Sequence, residues 1–350
     1  MKETNMQFPP VSVVIPTWNA GAFVERVLQA LLQQNDVPLE IIVLDNGVVN
    51  NETELVAERI STQNPAVKYF SYKEQLGYAG AVNAGVKHAS HSLIAVCNND
   101  NLPDPNWLKE LVLLHLKRNW HGKVIAITTS FVPRSGPYSH HRTDYNFCGR
   151  VLYRDQEKIP EENFSVFHPD GSSFLFDKAL LGLPYNEEYF IYHEDSAIGW
   201  RARLMGYEVV LAKKSYAETF DGGSTRRIPY RTAYYSERNR WLNALCFPQV
   251  STILRLLPVW AFDLALSFGF GQRRWARINA WYWLLTNPSF LCAYRKEMQA
   301  LRKVSDREIL PFMTAQYLEF HGNGLGSSLK QALNFCFKIY FKIICLPMRN

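Results

Sequence analysis

The chain has 350 residues, of which 47% are hydrophobic and 20% are charged. This composition excludes an intrinsically disordered chain, and the length allows one large α/β domain with a smaller region attached to it. The formal net charge of +6 is uneven, because residues 250–350 contain 13 Lys and Arg against 5 Asp and Glu, which leaves −2 on residues 1–249. The basic excess therefore belongs to the C-terminal region.

Short β-branched runs alternate with helical patterns in the N-terminal part of the chain. Strands are predicted over residues 11–16 (VSVVIP), 39–44 (LEIIVL), 67–71 (VKYFS) and 93–97 (LIAVC), with helices opening at 19–21 and covering 54–61 and 77–88. Such alternation is typical of a mostly parallel sheet with right-handed crossovers. The expected fold class is therefore α/β, with ligands bound at the carboxyl ends of the strands.

Polar side chains recur where these strands end. Thr17 and Asn19 follow the first strand, Asp45 follows the second, and residues 98–100 (NND) follow the fourth. A single Asn or Asp in a loop is more often a helix cap or an Asx turn than a ligand-binding residue. Their recurrence at three strand ends indicates a binding site along one edge of the sheet.

The middle of the chain adds two strands and a helix. Strands are predicted over 124–129 and 173–176 (SFLF), separated by an irregular segment at 133–160. A helix is predicted to begin at Glu194 and Asp195 and to stop at Gly206. Carboxylates are favoured at a helix N-terminus, so these two acidic residues taken alone would more often be caps than catalytic groups.

The C-terminal region is rich in Leu, Trp and Phe but is repeatedly interrupted by polar residues. The apolar stretches 250–270 and 275–294 contain Arg255, Asp263, Arg277, Asn279 and Pro288, so neither is an uninterrupted membrane span. Lysines alternate with apolar residues over 329–348. This pattern favours amphipathic helices that lie on a membrane surface over nucleic-acid binding. The alternative is an ordinary helical subdomain that packs on the rest of the protein.

The six cysteines and the N-terminus both indicate a cytoplasmic protein. The cysteines form no CxxC pair and no Cys/His cluster with the spacing of a zinc site, so free buried thiols in a reducing compartment are expected. The first residues, MKETNMQFPP, lack the apolar core of a signal peptide. We therefore expect a cytoplasmic protein on the inner face of the cytoplasmic membrane.

Six motifs in order resemble one enzyme family. They are VSVVIPTWN (11–19), IIVLDNG (41–47), LGYAGAVNAGV (76–86), CNND (97–100), DGSSFLF (170–176) and YHEDSAIGWRARLMGY (192–207). This order is similar to family 2 glycosyltransferases of GT-A fold, particularly their bacterial rhamnosyltransferase-like branch. The resemblance covers roughly residues 8–250 and includes YYSERNRWLN (234–243). It implies a catalytic domain, and the change in composition near residue 249 places that domain at 1–249 and a basic, amphipathic helical region at 250–350.

The resemblance implies a donor site for a nucleotide-diphosphate sugar. Asp45 suits the base or ribose, because a carboxylate accepts hydrogen bonds from an imide or a hydroxyl. The other residues that the resemblance assigns to the nucleotide are Pro16, Thr17, Asn19, Gly77, Asn83 and Asn99. Glycine near the nucleotide allows the backbone to come close to it, although glycine spacing alone equally fits helix packing.

The resemblance also implies a divalent cation. Residues 98–100 occupy the place of the family's D-x-D motif, so Asp100 is assigned to Mg²⁺ or Mn²⁺, which prefer oxygen ligands. Two departures weaken this assignment. Asn stands at two of the acidic positions, and residues 219–224 (TFDGGS) lack the His that many relatives place before Gly-Gly-Ser. Either Asp221 or Glu218 replaces that His, or the metal is held weakly.

The resemblance assigns Asp195 as the general base of an inverting single displacement. Glu194 is then expected to orient the acceptor or the base, and the acceptor side is completed by Gly171, Ser172, Trp200 and Arg201. For Trp200 and Arg201, a place in the core or in a surface ion pair fits the sequence equally well.

The expected function is transfer of rhamnose or another hexose from a dTDP- or UDP-sugar to a hydroxyl of a polyprenyl-linked or polysaccharide acceptor. A sugar nucleotidyltransferase would need a glycine-rich loop with a basic residue near the N-terminus, and VIPTWNAG contains no basic residue. The remaining alternative is a catalytically degraded scaffold in a glycan-assembly complex. The two Asn substitutions motivate this alternative, and the retained Asp45, Asp100 and Asp195 argue against it.

Overall fold

The computed structural model of the chain describes residues 7–47, 50–118, 124–132, 142–154, 164–219, 228–270, 273–317 and 325–345. Its strands are β1 (Val11–Thr17), β2 (Leu39–Asn46), β3 (Val67–Tyr72), β4 (Leu93–Cys97), β5 (Asn101–Pro103), β6 (Val124–Val132), β7 (Arg142–Tyr145), β8 (Val151–Arg154), β9 (Phe164–Val166), β10 (Ser173–Asp177) and β11 (Glu208–Thr219). Its α-helices are α1 (Gly21–Leu32), α2 (Glu52–Gln63), α3 (Gly77–His88), α4 (Trp107–Arg118), α5 (Lys178–Leu181), α6 (Glu194–Leu204), α7 (Pro229–Cys246), α8 (Val250–Phe270), α9 (Arg274–Thr286), α10 (Pro288–Ala300), α11 (Asp306–Ile309) and α12 (Leu325–Cys345).

The elements predicted for the N-terminal part are confirmed. Helix α3 and strand β4 have the predicted bounds, and β1 and β2 each extend by one or two residues beyond the prediction. Helix α6 begins at Glu194 as expected, and Gly206 follows its end with a φ of 77°, a left-handed conformation that glycine adopts without strain. Most of the irregular segment predicted at 133–160 lies outside the described residues. The described part of this segment includes the hairpin of β7 and β8.

A nine-stranded sheet forms the centre of the protein, in the order β3-β2-β1-β4-β10-β6-β11-β5, with β9 beside β11. Strands β1 to β4 pair in parallel, as do β6 and β11, which confirms the mostly parallel sheet. Strand β10 is inserted antiparallel between β4 and β6. The strand order reverses at β1, because β2 lies on one side of it and β4 on the other, and such a switch point opens a crevice at the carboxyl ends of the strands.

Apolar side chains cover both faces of this sheet. On one face, Val24 and Leu28 of α1 and Trp107 of α4 belong to one buried cluster with side chains of the sheet, in which α4 lies against β6 and β11. On the other face, Val82 of α3 and Ile198 of α6 belong to a second buried cluster, in which α3 lies against β1 and β2 and α6 lies against β11. All five side chains are fully buried, so the fold is a three-layer α/β/α arrangement.

The C-terminal helices continue the second of these cores. Trp260 of α8, Leu284 of α9, Met298 of α10 and Phe337 of α12 belong to the same buried cluster as Ile198. One side of each of these helices therefore packs on the rest of the protein, as the subdomain alternative expects. The boundary at residue 249 stays a prediction, since buried side chains on both sides of it share one core.

Candidate active site

A cavity of about 680 Å³ opens at the carboxyl ends of β1 and β4, where the strand order reverses. It is lined by nine of the residues expected from the sequence, namely Pro16, Thr17, Gly77, Asn99, Asp100, Gly171, Ser172, Glu194 and Asp195. They come from the ends of two strands, the starts of two helices and the loop before β10. Folding therefore brings donor-side and acceptor-side candidates into one site.

Hydrogen bonds hold the polar groups that line this cavity in place. The Asn99 side-chain amide donates to Thr17 Oγ1 at 3.0 Å, which joins the end of β1 to the loop after β4. The Asn98 backbone N–H donates to the carbonyl oxygen of Ser172 at 2.9 Å, and the Tyr78 hydroxyl contacts Asn98 Oδ1 at 2.9 Å. Side chains held by such contacts need little rearrangement when a ligand arrives.

Two carboxyl groups are suited to a cation in this cavity. Burial raises the pKa of Asp100 to about 6, and the negative charge of Asp170 acts in the same direction. Asp170 Oδ1 accepts hydrogen bonds from the backbone and hydroxyl of Ser172, at 3.0 and 2.6 Å. Two oxygen-donor groups that repel each other fit a divalent cation. Within the described ranges, no group of three or more His, Cys, Asp or Glu is placed to hold a metal, and Asp221 lies outside them.

The adjacent carboxyl groups of Glu194 and Asp195 both have raised pKa values. Burial raises the pKa of Glu194 well above its usual range, and the charge of Asp195 raises it further. Burial also raises the pKa of Asp195, but His168 and the two donors of Ser196 oppose this. The Asp195 side chain is 22% exposed, whereas Glu194 is 6% exposed. The pKa of Glu194 is therefore raised more strongly than that of Asp195, so Asp195 is the member of the pair that ionises more readily.

The imidazole of His168 lies beside Asp195. Its Nδ1 lies 3.7 Å from Asp195 Oδ2 and 2.7 Å from the carbonyl oxygen of Pro169. Asp195 Oδ1 accepts from the backbone N–H of Ser196 at 2.6 Å. These contacts orient the Asp195 carboxylate and leave Oδ2 as the oxygen nearer to the imidazole.

The loop that leads into this acidic pair is strained. Phe190, Tyr192 and His193 have positive φ angles of 59°, 70° and 63°, a conformation that costs a residue other than glycine about 1–3 kcal/mol. All three residues line the cavity. Strain of this kind persists only where surrounding contacts enforce it.

Two asparagines of α7 supply those contacts. The Asn239 side-chain amide lies 2.8 Å from each of three carbonyl oxygens, those of Tyr189, Ile191 and Tyr192, and donates to them. The Asn243 amide donates to the carbonyl oxygen of His193 at 3.1 Å. The two residues are one helical turn apart and fully buried. Neither asparagine was predicted as a site residue, although the sequence places the two Asn residues four positions apart within one helix.

Five of the expected site residues do not line the cavity. Asn83 is buried and exchanges hydrogen bonds with the backbone of Tyr185. Trp200 packs against Phe247, and Arg201 donates to backbone carbonyls of the segment after α5, because both residues lie about two turns beyond the cavity end of α6. The remaining two are Asn19, with a positive φ, and Asp45, whose buried Oδ2 accepts from the Tyr69 hydroxyl at 3.3 Å.

Comparison with known sequences supports the family resemblance. Residues 12–182 match the family described as Glycosyl transferase family 2. The chain is 28% identical over 187 residues to the GalNAc(5)-diNAcBac-PP-undecaprenol beta-1,3-glucosyltransferase of Campylobacter jejuni, covering 52% of this chain and 56% of that protein. It is 33% identical over 111 residues to the validoxylamine A glucosyltransferase of Streptomyces hygroscopicus, covering 31% and 24%. The chain thus spans about half or less of the length of these relatives.

Solved structures share the fold. The mannosyltransferase PcManGT from Pyrobaculum calidifontis, solved with GDP-Man and Mn²⁺, has a TM-score of 0.50 and 15% identity, covering 99% of this chain and 89% of that one. GalNAc-T7, solved with UDP, GalNAc and Mn²⁺, has a TM-score of 0.54 and 15% identity, covering 81% and 57%. At this identity the likeness concerns the fold alone, and it confirms the GT-A architecture.

Proposed function

We propose that the chain, in which residues 12–182 match glycosyl transferase family 2, transfers a sugar from a nucleotide-diphosphate donor to a hydroxyl of a lipid-linked or polysaccharide acceptor. The observation that carries this proposal is the single cavity that holds Asp100 and Asp170 together with the Glu194–Asp195 pair. Glycosyl transfer needs a site for a diphosphate leaving group and a base for the acceptor, and these two carboxyl pairs meet both needs.

The donor is proposed to occupy the side of the cavity formed by Pro16, Thr17, Gly77 and Asn99. Asn99 and Thr17 offer polar groups to a nucleotide. Gly77 lets the start of α3 approach Phe190, because a Cβ at this position would lie 2.5 Å from the Phe190 carbonyl oxygen. The nucleotide is proposed to be dTDP or UDP and the sugar rhamnose or another hexose. The solved neighbours hold GDP-Man in one case and UDP with GalNAc in the other.

A divalent cation, Mg²⁺ or Mn²⁺, is proposed to bind at Asp100 and Asp170. When bound, it would neutralise the charge of the donor phosphates. A cation of this kind is often held by one or two carboxylates together with substrate phosphates and water. Because phosphates and water supply the other ligands, few protein ligands are sufficient. For the same reason, we expect the metal to bind weakly in the absence of donor.

Asp195 is proposed to act as the general base. Its ionised carboxylate removes the proton of the acceptor hydroxyl while the acceptor oxygen bonds to the anomeric carbon. The bond between that carbon and the diphosphate oxygen breaks at the same time, with attack from the opposite face, so the anomeric configuration inverts. The raised pKa of Glu194 favours its protonated form, which is proposed to donate a hydrogen bond to the acceptor or to Asp195.

The donor assignment is tested by thermal unfolding of the purified protein with UDP-, dTDP- and GDP-sugars, each with and without Mg²⁺ or Mn²⁺. A ligand at 100 times its dissociation constant adds about 2.7 kcal/mol of stability, so we expect a clear rise in Tm for one nucleotide, larger with metal. The nucleoside alone is the control. A folded protein whose Tm responds to none of the nucleotide sugars would contradict the proposal and favour the scaffold alternative.

The acceptor is proposed to be held at a membrane surface by the C-terminal helices. Helix α9 presents an apolar stripe, defined as Trp275, Ile278, Tyr282 and Leu285, whose side chains are 42–74% exposed. Their spacing of three and four residues places them on one side of the helix. In the described part of the chain, residues 250–268 of α8 form the one helix that is long and apolar enough to cross a membrane, and a third of it is buried.

Peripheral binding is the arrangement we propose, because the buried sides of α8, α9 and α12 already belong to the protein core. Exposed apolar residues flanked by Lys and Arg suit insertion into the interface of an anionic membrane. The Campylobacter relative is named for an undecaprenol-linked substrate. The proposed location is the cytoplasmic side of the membrane.

The double substitution Trp275→Ser and Leu285→Ser is expected to reduce co-sedimentation with anionic liposomes by at least severalfold, because it removes the two most exposed apolar side chains of the stripe. The matched control is Leu55→Ser, which changes an apolar side chain of α2 that is 57% exposed. If the double variant sediments like the unchanged protein, the stripe of α9 is not the membrane-binding surface.

A further inference from the structure

Three arginines line the cavity on the side of the C-terminal helices. This arginine cluster consists of Arg150, which directly precedes β8, Arg240 of α7 and Arg277 of α9. It was not expected from the sequence, and the mechanism derived above gives it no role. Arginine presents a planar fork of donors that matches the oxygens of a phosphate group.

Two buried carboxylates accompany the arginine cluster. Asp263 is fully buried and lies 2.6 Å from Arg150 and 2.5 Å from Arg240. Glu237 lies 2.9 Å from Arg240 and 3.5 Å from Arg277. Burial alone would raise the pKa of both carboxyl groups. Arg240 and Arg150 lower the pKa of Asp263, and Arg240 and Arg277 lower the pKa of Glu237. These charges outweigh burial, so both carboxyl groups are ionised.

The five side chains together carry three positive charges and two negative ones. A positive charge at the wall of a narrow cavity is costly unless an anion approaches it. Arg277 is 23% exposed and its contact with Glu237 is the longest of the four ion pairs. Together with Arg150, which is 30% exposed, Arg277 supplies one of the two guanidinium groups of the cluster that an incoming anion can reach.

The arginine cluster lines the same cavity as the acidic pair that carries the proposed base, and Arg240 lies three residues before Asn243, whose amide donates to the carbonyl oxygen of His193 at 3.1 Å. Burial lowers the pKa of His193 to about 3, and the positive charges of Arg240 and Arg150 contribute to this. His193 directly precedes Glu194 and Asp195 in the chain. An anion held by the cluster would therefore lie near the acceptor hydroxyl, whereas the donor candidates Thr17 and Asn99 come from the ends of β1 and β4.

The helices that bring these charges also carry the exposed apolar surface. Arg277 faces the cavity from α9, whose other side is the apolar stripe. Asp263 is buried on α8, where Leu254 and Leu257 are 61% and 48% exposed. A ligand that contacts both the arginine cluster and the exposed apolar side chains of α8 and α9 would need a phosphate group joined to a hydrocarbon chain.

We propose that the arginine cluster is a phosphate subsite for the acceptor. This subsite binds the phosphate that joins a glycan to its lipid carrier. This inference rests on the proposed function and narrows its acceptor to a lipid-linked glycan phosphate. The hydrocarbon chain of the acceptor leaves the cavity along α9 toward the membrane, and the glycan hydroxyl reaches Asp195.

Binding of geranyl diphosphate to the full-length protein tests the subsite without requiring catalysis. Arg277→Gln is expected to weaken this binding about tenfold or more, because it removes a charge-assisted contact to phosphate, and Arg277→Lys is expected to weaken it less. Binding of geraniol, which lacks the phosphates, and of UDP and dTDP should be unchanged. The matched control is Arg274→Gln, which makes the same charge change on the same helix at an exposed residue outside the cavity lining.

The outcomes separate this inference from the proposed function. Loss of UDP or dTDP binding in Arg277→Gln would assign the cluster to the donor phosphates and overturn the acceptor subsite. Equal geranyl diphosphate binding by Arg277→Gln, Arg274→Gln and the unchanged protein would also overturn it, even if sugar transfer is observed. Arg277-dependent binding of geranyl diphosphate supports the subsite, even if no nucleotide sugar is ever a donor.

Discussion

Asp195→Asn is expected to lower the rate of sugar transfer by about 10²–10⁴, the usual contribution of a general base. The substitution keeps the size and the hydrogen-bonding shape of the side chain but removes the group that accepts the proton. The affinity for nucleotide sugar, measured by thermal stabilisation, should change little, because the donor candidates lie at the ends of β1 and β4. Weaker donor binding with normal turnover would contradict the assignment of Asp195 as base.

The pH profile provides a second readout of the same substitution. Burial raises the pKa of Asp195, so transfer should fall as the pH drops through that raised pKa, and this acidic limb should vanish in Asp195→Asn. Asp177→Asn is the matched control, because Asp177 caps α5 outside the cavity and Asn is also a good N-cap.

The same raised pKa has a consequence for stability. A folded-state pKa above that of the unfolded chain, about 3.9 for Asp, means that the free energy of unfolding decreases as the pH rises through this interval. Removing the charge should remove that cost, so Asp195→Asn is expected to have an equal or higher Tm at pH 7. A large loss of stability would show that the carboxylate is held for structural reasons.

Asn239→Ala is expected to lower kcat about tenfold to a hundredfold, because the strained loop before Glu194 loses the amide that holds three of its carbonyl oxygens. Asn239 does not line the cavity, so it is a positioning residue. The free energy of unfolding should fall by about 2–4 kcal/mol, since buried carbonyl oxygens are left without donors. Asn239→Asp should be at least as harmful, because it keeps the shape but replaces the donors with acceptors.

A purely structural role would give a different pattern. Asn334→Ala removes another buried asparagine, one that accepts from the backbone N–H of Tyr317 at 2.7 Å far along the chain from the acidic pair. It is expected to reduce stability without changing kcat per folded molecule or the acidic limb of the pH profile. If Asn239→Ala behaves in the same way, the loop does not depend on α7 for its catalytic geometry.

Local signals account for the parts of the fold that were predicted correctly. Strand β4 and helix α3 have clear apolar patterns bounded by polar residues, so their bounds followed from the sequence. The antiparallel insertion of β10 did not, because strand pairing depends on partners distant in the chain: Phe174 pairs with Val96 on one side and Thr128 on the other. No local pattern distinguishes a parallel from an antiparallel neighbour in a fully buried strand.

The candidate site was predicted in part for the same reason. Thr17, Asp100 and Asp195 lie at the ends of recognisable elements, and the strand order brings such ends together. The family resemblance assigned Trp200 and Arg201 to the acceptor side. Because α6 is buried almost all around, its sequence has no polar face that would have shown which of its residues reach the cavity. The arginine cluster escaped prediction because its partners, such as Arg150 and Asp263, are 113 residues apart.

The core shared by the sheet and the C-terminal helices governs when a newly made chain can fold. Phe337 and Ile344 belong to the same buried cluster as Val14, Ile94 and Ile198. The ribosome therefore has to add roughly 95 residues after α7, which takes about 5–20 s at 5–20 residues per second, before that core is closed. During this interval the nascent chain exposes apolar surface and also contains the helices that would bind a membrane. Its last step of folding and its first contact with lipid thus depend on the same segment of polypeptide.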